Sequence, residues 1–190
     1  MKVLGICGSP RKEGNTDILL DKALEGSAAA GAETEKITIS DLNISPIQER
    51  EYEEVNADGL SVVDDDMDVV FKKIRQADAV VMASPVFFGS LSTQSKMMID
   101  RFQCVWLSKI VNHKEIFPDS IAGAFICVEA TTREDFFENA KSIIRHFFAT
   151  INAEYKEELF CPGCDKKGSV LEHAERLEEA FDLGRKLVGG

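Results

Sequence analysis

The stretch Lys2-Val3-Leu4-Gly5-Ile6-Cys7-Gly8-Ser9-Pro10-Arg11-Lys12-Glu13-Gly14-Asn15-Thr16 decides how the chain is read. It opens as a short apolar run from Lys2 to Cys7, turns through small, polar and cationic residues, and enters a segment, Thr16 to Ala30, with apolar residues at helical spacing. That is strand, loop, helix. The same grammar continues: Glu35 to Ile39 predicts a strand, Asp64 to Gln76 a helix, Ala79 to Ala83 a buried strand and Ser92 to Ile110 a helix. Ile121 to Val128, Glu134 to Ile151, Tyr155 to Phe160 and Leu171 to Leu187 complete the series as strand, helix, strand, helix. Strands alternating with helices pair in parallel through right-handed crossovers. The expectation is an α/β, flavodoxin-like three-layer sandwich with a five-stranded parallel sheet in the order 2-1-3-4-5. No internal repeat or linker divides the 190 residues, so one domain is expected over 1–190. The irregular stretch Leu42 to Val63 is acidic and varied, and its conformation stays open as a lid, an interface arm or a loop.

Composition narrows the function classes. With 44% hydrophobic and 29% charged residues the chain is that of an ordinary globular domain. Its longest apolar runs fall short of the roughly 18 residues a membrane span needs, and no basic-then-apolar leader precedes Val3, so a cytoplasmic protein is expected. Lysine and arginine number 22 against 33 acids, a formal charge of -11, which disfavours broad binding to nucleic acid. Any anion must be held locally. The odd count of five cysteines predicts reduced thiols.

In an open parallel sheet, ligands bind beyond the carboxyl ends of the strands where strand order reverses. The loop Gly8 to Thr16 sits there and leads into the positive end of a helix dipole. Arg11 and Lys12 supply cations, while Ser9, Asn15 and Thr16 supply side-chain donors for phosphate oxygens. The plainer reading is a helix capped by Asn15 or Thr16 beside a solvated basic loop. Counting removes rival phosphate loops. A P-loop needs four residues between its glycines and then Lys, whereas five separate Gly8 from Gly14 and Asn15 follows. A dinucleotide fingerprint fails because Cys7 and Pro10 stand where its second glycine belongs. The spacing of a low-molecular-weight tyrosine phosphatase fails as well, since Glu13 occupies the arginine position, and Cys7 reads as a small buried residue. The loop after the third strand, Ser84-Pro85-Val86-Phe87-Phe88-Gly89-Ser90-Leu91-Ser92, sets aromatic rings beside the first loop. A phosphate cradle next to an aromatic wall is what FMN needs.

These two loops, with Lys96-Met97-Met98-Ile99-Asp100-Arg101 and Asp65-Asp66-Met67, resemble the NADPH-dependent FMN reductase family, and most of all its iron-sulfur flavoprotein branch. The resemblance implies noncovalent FMN, NADPH or NADH as electron donor, electron transfer to a small quinone-like acceptor or a redox protein, and a homodimer or homotetramer. It implies that Ser9, Arg11, Lys12, Gly14, Asn15 and Thr16 take the phosphate and that Pro85, Val86, Phe87, Phe88, Gly89 and Ser90 border the ring. No side chain is implied as a catalytic nucleophile, because the chemistry belongs to the flavin. The chain also departs from the family. Leu42 to Asp66 lacks the branch's cysteine group, so no iron-sulfur cluster is expected there. Phe87 and Phe88 lack the tyrosine hydroxyl common in relatives. Glu129-Ala130-Thr131-Thr132-Arg133 replaces a glycine-rich turn, leaving Thr131 and Thr132 as candidate donors. Two other classes stay in view: a flavodoxin-like electron carrier without its own nicotinamide oxidation, and a nucleotide-binding redox sensor using Cys161 and Cys164.

The remaining features have plainer readings. Cys161-Pro162-Gly163-Cys164 is a redox dithiol, half of a metal site lacking its second half, or an ordinary loop. Asp64, Asp65 and Asp66 read as capping residues of the following helix rather than a magnesium site. Lys96 and Asp100 are one helical turn apart and suit a surface pair or an interface contact, while Trp106, on the same helix, suits its buried or its subunit-contact face. His113, His146 and His173 are scattered and carry no catalytic assignment.

Overall fold

The computed structural model describes residues 1–189. Parallel strands β1 (Lys2–Cys7), β2 (Glu33–Thr38), β3 (Ala79–Phe87), β5 (Ile121–Val128) and β6 (Ala153–Cys161) form a sheet in the order β2-β1-β3-β5-β6, the doubly wound order expected. Residues alternate between its faces. Leu4, Ile6, Val80, Met82 and Phe125 enter one core, while Val3, Ala79, Val81, Ala124 and Ile126 enter the other. Burial on both faces explains why these strands read as continuous apolar runs. Helices α1 (Asn15–Ala29) and α6 (Ala174–Gly189) cover one face. Helices α2 (Met67–Arg75), α3 (Thr93–Asp100), α4 (Gln103–Ile110) and α5 (Glu134–Thr150) cover the other.

The structure adds one strand to the expected five. β3 runs on to Phe87 and pairs antiparallel with the two-residue β4 (Ser90–Leu91), Val86 opposite Leu91 and Phe87 opposite Ser90. Phe88 and Gly89 form the intervening turn with φ of 51° and 75°. Two consecutive left-handed residues are the mark of the type I′ hairpin, whose twist matches that of the strands. The third-strand loop is therefore a stiff hairpin.

The helix predicted from Ser92 to Ile110 is two helices. The break falls at Arg101, whose side chain is wholly buried. Its Nε donates to Glu51 Oε1 at 2.7 Å and its Nη1 to Asp65 Oδ2 at 2.5 Å. Nη1 also donates to the Ser45 carbonyl at 2.9 Å, and Nη2 donates to Ser61 Oγ at 2.8 Å. Every one of these partners lies in the irregular segment after β2, which this guanidinium gathers against the α3–α4 junction. One of the three aspartates, Asp65, bonds a first-turn N–H of α2 as the capping reading expects, but its carboxylate is also committed to Arg101. Asp66 stands at the N-cap position of α2 without a side-chain cap bond and instead accepts from Asn43 N–H at 2.7 Å. Asp65 accepts from Met67 N–H at 3.0 Å and from Ser45 N–H at 2.9 Å while pairing with Arg101. A buried cation outranks a helix end as a partner for a carboxylate, because an unpaired buried charge costs more than an uncapped N–H.

Burial pushes the Asp65 carboxyl up, but the Arg101 hydrogen bond and the two backbone N–H groups outweigh it and hold the group below its ordinary value. A carboxylate depressed in the folded state contributes stability that is present above its unfolded value and lost as pH falls through the folded one. Arg101→Ala is expected to lower unfolding stability by about 3–5 kcal/mol in urea titration at neutral pH, since it strands two buried carboxylates. That difference should shrink below about pH 4, where the unfolded carboxylate begins to protonate.

Candidate functional site

Helix α1 begins at Asn15 with Gly14 at its N-cap and no side-chain cap bond. Its first N–H groups are therefore left for a ligand, and they face the loop that follows β1. Gly8 anchors that loop. Its N–H donates to the Ala83 carbonyl at 2.8 Å, and a Cβ placed on it would lie 1.8 Å from Ser95 Oγ. Beneath it, Ser92 Oγ donates to the Gly8 carbonyl at 2.6 Å, Ser95 Oγ lies 3.0 Å from Ser84 Oγ, and Ser84 Oγ accepts from Ser92 N–H at 3.1 Å. These buried hydroxyls tie the first loop to the end of β3 and the start of α3.

A cleft of about 130 Å³ opens above this network. Ser9, Arg11, Gly14, Asn15 and Thr16 line one side, and Pro85, Val86 and Phe87 another. Val128, Ala130, Cys164, Asp165 and Lys167 complete it. It runs into a slot of about 220 Å³ walled by Val86, Phe87, Phe88, Glu129, Ala130, Thr131 and Phe136. Val86, Phe87 and Ala130 belong to both. One end is thus cationic and rich in N–H groups, the other apolar. Phe88 stands fully exposed at the rim, held at a positive φ that a bulky side chain rarely adopts.

Some predicted residues take other partners. Lys12 Nζ pairs with Asp41 at 2.8 Å and lies outside the cleft lining. Asn15 Nδ2 donates to the carbonyls of Cys164 at 3.0 Å and Lys166 at 2.9 Å, and Asn15 Oδ1 accepts from Val170 N–H at 3.2 Å. Its amide is a strut between α1 and the loop after β6, leaving its backbone N–H for an anion. Gly89, Ser90 and Thr132 line neither the cleft nor the slot. Thr131 Oγ1 donates to Glu129 Oε1, which also accepts from Arg133 N–H at 3.3 Å. Glu129 Oε2 is buried with no hydrogen-bond partner among the described residues. Such an acceptor at a slot wall is what a ligand N–H or O–H satisfies.

Lining residues that the sequence reading did not assign to the site include Asp165, Lys167 and Phe136. Lys167 lines the cleft together with Arg11 and pairs with Glu13 at 3.7 Å, and Arg11 Nη1 donates to the Asp165 carbonyl at 3.2 Å. Phe136 closes the slot against Gly89, where a Cβ would come within 3.0 Å of its ring. The pair of lysines after Cys164 was the available signal for a second cationic wall. Cys7 is buried at the end of β1, and burial pushes its thiol up to about 12. It is no nucleophile at neutral pH.

Residues 1–152 match the family model of the NADPH-dependent FMN reductases. The chain belongs to that family. It is 43% identical over 101 residues to an iron-sulfur flavoprotein of Methanocaldococcus jannaschii, covering 53% of this chain and 51% of that protein. An iron-sulfur flavoprotein of Methanosarcina thermophila is 37% identical over 101 residues, covering 53% and 52%. The chain thus spans about half the length of the curated relatives it matches. The solved NAD(P)H:quinone oxidoreductase of Methanothermobacter marburgensis superposes with a TM-score of 0.74 at 18% identity, covering 98% of this chain and 94% of that one. That likeness shows the flavodoxin-like fold.

Gly8→Ala tests the anchoring of the first loop. Forcing a methyl against Ser95 should destabilise the protein by about 1–3 kcal/mol in thermal or urea unfolding, as overpacking does. Ser95→Ala in the same chain should recover part of that loss.

Proposed function

We propose that residues 1–190 form one FMN-binding domain that passes electrons from NADPH or NADH to a small quinone-like acceptor or a redox protein. The observation that carries this reading is the continuity of the cleft: uncapped α1 N–H groups with Arg11 and Lys167 at one end, an apolar aromatic slot at the other. A terminal phosphate belongs at the first end, where charge-assisted hydrogen bonds and the helix dipole act together. A flat ring belongs in the slot, with Val86, Phe87, Ala130 and Phe136 excluding water and Glu129 Oε2 awaiting a donor from it. FMN, when bound, supplies hydride acceptance and donation. The chain's own residues bind it, orient it and fix the polarity at its edge. Thr16 and Ser9 would contact the phosphate with the backbone N–H groups, while Pro85 shapes the wall beside the ring.

Several further parts belong to the same proposal. Leu42 to Asp66 holds no cysteine, so that segment would carry no cluster of the kind named in the relatives. Trp106, Ile110 and Val111 are at least half exposed on or next to α4, a face suited to a homodimer or homotetramer. No helix among the described residues is long and apolar enough to cross a membrane, and a cytoplasmic site completes the reading. The electron carrier is the second reading, favoured by the acidic charge of the chain.

Titration of the chain with FMN is expected to quench flavin fluorescence at one equivalent, and NADPH or NADH should then bleach the bound flavin in stopped-flow mixing. Bound flavin that neither nicotinamide reduces would leave the carrier reading in place. Arg11→Ala combined with Lys167→Ala should weaken FMN binding by about ten- to a hundredfold, the scale of one to two charged hydrogen bonds. Lys12→Ala should leave it unchanged. Phe88→Asn should raise thermal stability by up to about 1 kcal/mol, because Asn tolerates the left-handed turn position. The same change should weaken FMN binding if the exposed ring covers the flavin.

A further inference from the structure

Cys161-Pro162-Gly163-Cys164 closes β6 and lies beyond the residues that match the family. Proline in the second place and Gly163 at φ 76° in the third are the pattern of a type II turn. The turn brings Cys161 Sγ within 3.3 Å of Cys164 Sγ, both as free, buried thiols. A β-turn keeps its first and fourth Cα atoms within about 7 Å, and a disulfide spans about 4.4–6.8 Å, so closure needs little backbone movement. Cys127, one residue off in the β5–β6 ladder, does not compete. Its side chain packs in the core on the opposite face of the sheet.

The same turn is a wall of the phosphate end of the cleft. Cys164 lines it, and the Cys164 carbonyl accepts from Asn15 Nδ2 at the start of α1. Cys164 N–H donates to the Glu129 carbonyl and Gly163 N–H to the Thr131 carbonyl, each at 2.9 Å. The turn is therefore hydrogen-bonded both to the helix that offers its N–H groups and to the loop that walls the slot.

We propose that Cys161 and Cys164 form a reversible disulfide that weakens the cleft's hold on FMN, and that bound FMN shields the pair from oxidation. The coupling rests on the assignment of the cleft to FMN. The oxidant is hydrogen peroxide. Cys164, at the cleft wall, attacks a peroxide oxygen as its thiolate, the O–O bond breaks, and the departing hydroxide leaves as water, giving a sulfenic acid. Cys161 Sγ then attacks that sulfur, the S–O bond breaks, and a second water departs with the Cys161 proton. Two thiols become one disulfide and one peroxide becomes two waters. Cys161 is placed for the second role by distance, its Sγ lying 3.3 Å from Cys164 Sγ, and it gives up its proton as the bond forms. Closing the sulfurs from 3.3 Å to about 2.0 Å resets the Cys164 end of the turn, which lines the phosphate end of the cleft and holds the Asn15 amide through its carbonyl. By reciprocity, a ligand that binds the disulfide form less tightly must favour the dithiol form by the same factor.

The test uses the full chain, prepared reduced, with and without FMN, and exposed to hydrogen peroxide. The expected result is loss of two hydrogens in the intact mass, a 161–164 cross-link in the peptide map, and slower cross-linking with FMN present. FMN affinity, read from fluorescence quenching, should fall by about five- to tenfold on oxidation and return with dithiothreitol, the scale of one lost hydrogen bond. Cys161→Ser and Cys161→Ala should both keep the reduced protein's affinity and lose its sensitivity to peroxide. Oxidised protein with no 161–164 cross-link, or a cross-link that leaves FMN affinity unchanged, would overturn the proposal. Failure of the reduced protein to take up FMN would overturn the cleft assignment and the coupling together, while the peptide map still decides whether the thiols pair.

Discussion

The close approach of Gly8 to Ser95 is the constraint on which the site depends. Only a residue without Cβ lets the first loop settle onto the Ser84, Ser92 and Ser95 hydroxyls, and those hydroxyls are buried. Buried hydroxyls must find partners, and here they find one another and the Gly8 carbonyl. The result is that the end of β1 and the end of β3 cannot move independently. An anion held by the α1 N–H groups and a ring held by the β3–β4 hairpin would then sit in a fixed relation set by the protein before either arrives, which is the condition for binding a two-ended ligand without a large ordering cost.

Charge is organised on the same principle of local against global. The chain carries a net charge of -11, yet Arg11 and Lys167 both line the cleft. Lys12, the neighbour of Arg11, is diverted to Asp41, and Lys36 is taken by Asp17 and Asp21. Burial pushes the Asp17 carboxyl up, and the Lys36 hydrogen bond with the Glu13 N–H outweighs it and holds the group low. The carboxylate in the first turn of α1 is thereby matched by a cation of its own, so it does less to repel an anion at the helix end.

Most of the fold was legible because the doubly buried strands left continuous apolar runs; Ile121 to Val128 is a strand with the bounds its sequence implies. The site was legible in part. The first loop announced itself by glycine, hydroxyl and cation directly after a strand, and the third-strand aromatics by their position. What the sequence concealed depends on long-range pairing. The break at Arg101 has no local signature, since its cause lies at Glu51 and Asp65, far away in the chain. Asn15 reads as a phosphate donor until the loop after β6 is seen to claim its amide. The hairpin was hidden for the opposite reason: Phe88 occupies a turn position that favours Asn, Asp or Gly, so the local rule pointed away from the structure.

That violation is informative about function. A phenylalanine at a left-handed position is strained, and a fully exposed ring gains nothing from burial to offset the strain. Folding alone would have been better served by a polar turn residue. The hairpin is braced from below, with Asn139 Nδ2 donating to the Gly89 carbonyl at 3.4 Å and the Phe136 ring against Gly89. A stiff support under an exposed aromatic at the rim of an apolar slot presents that ring to whatever enters, so the stability forgone at Phe88 is consistent with a contact made only when the slot is filled.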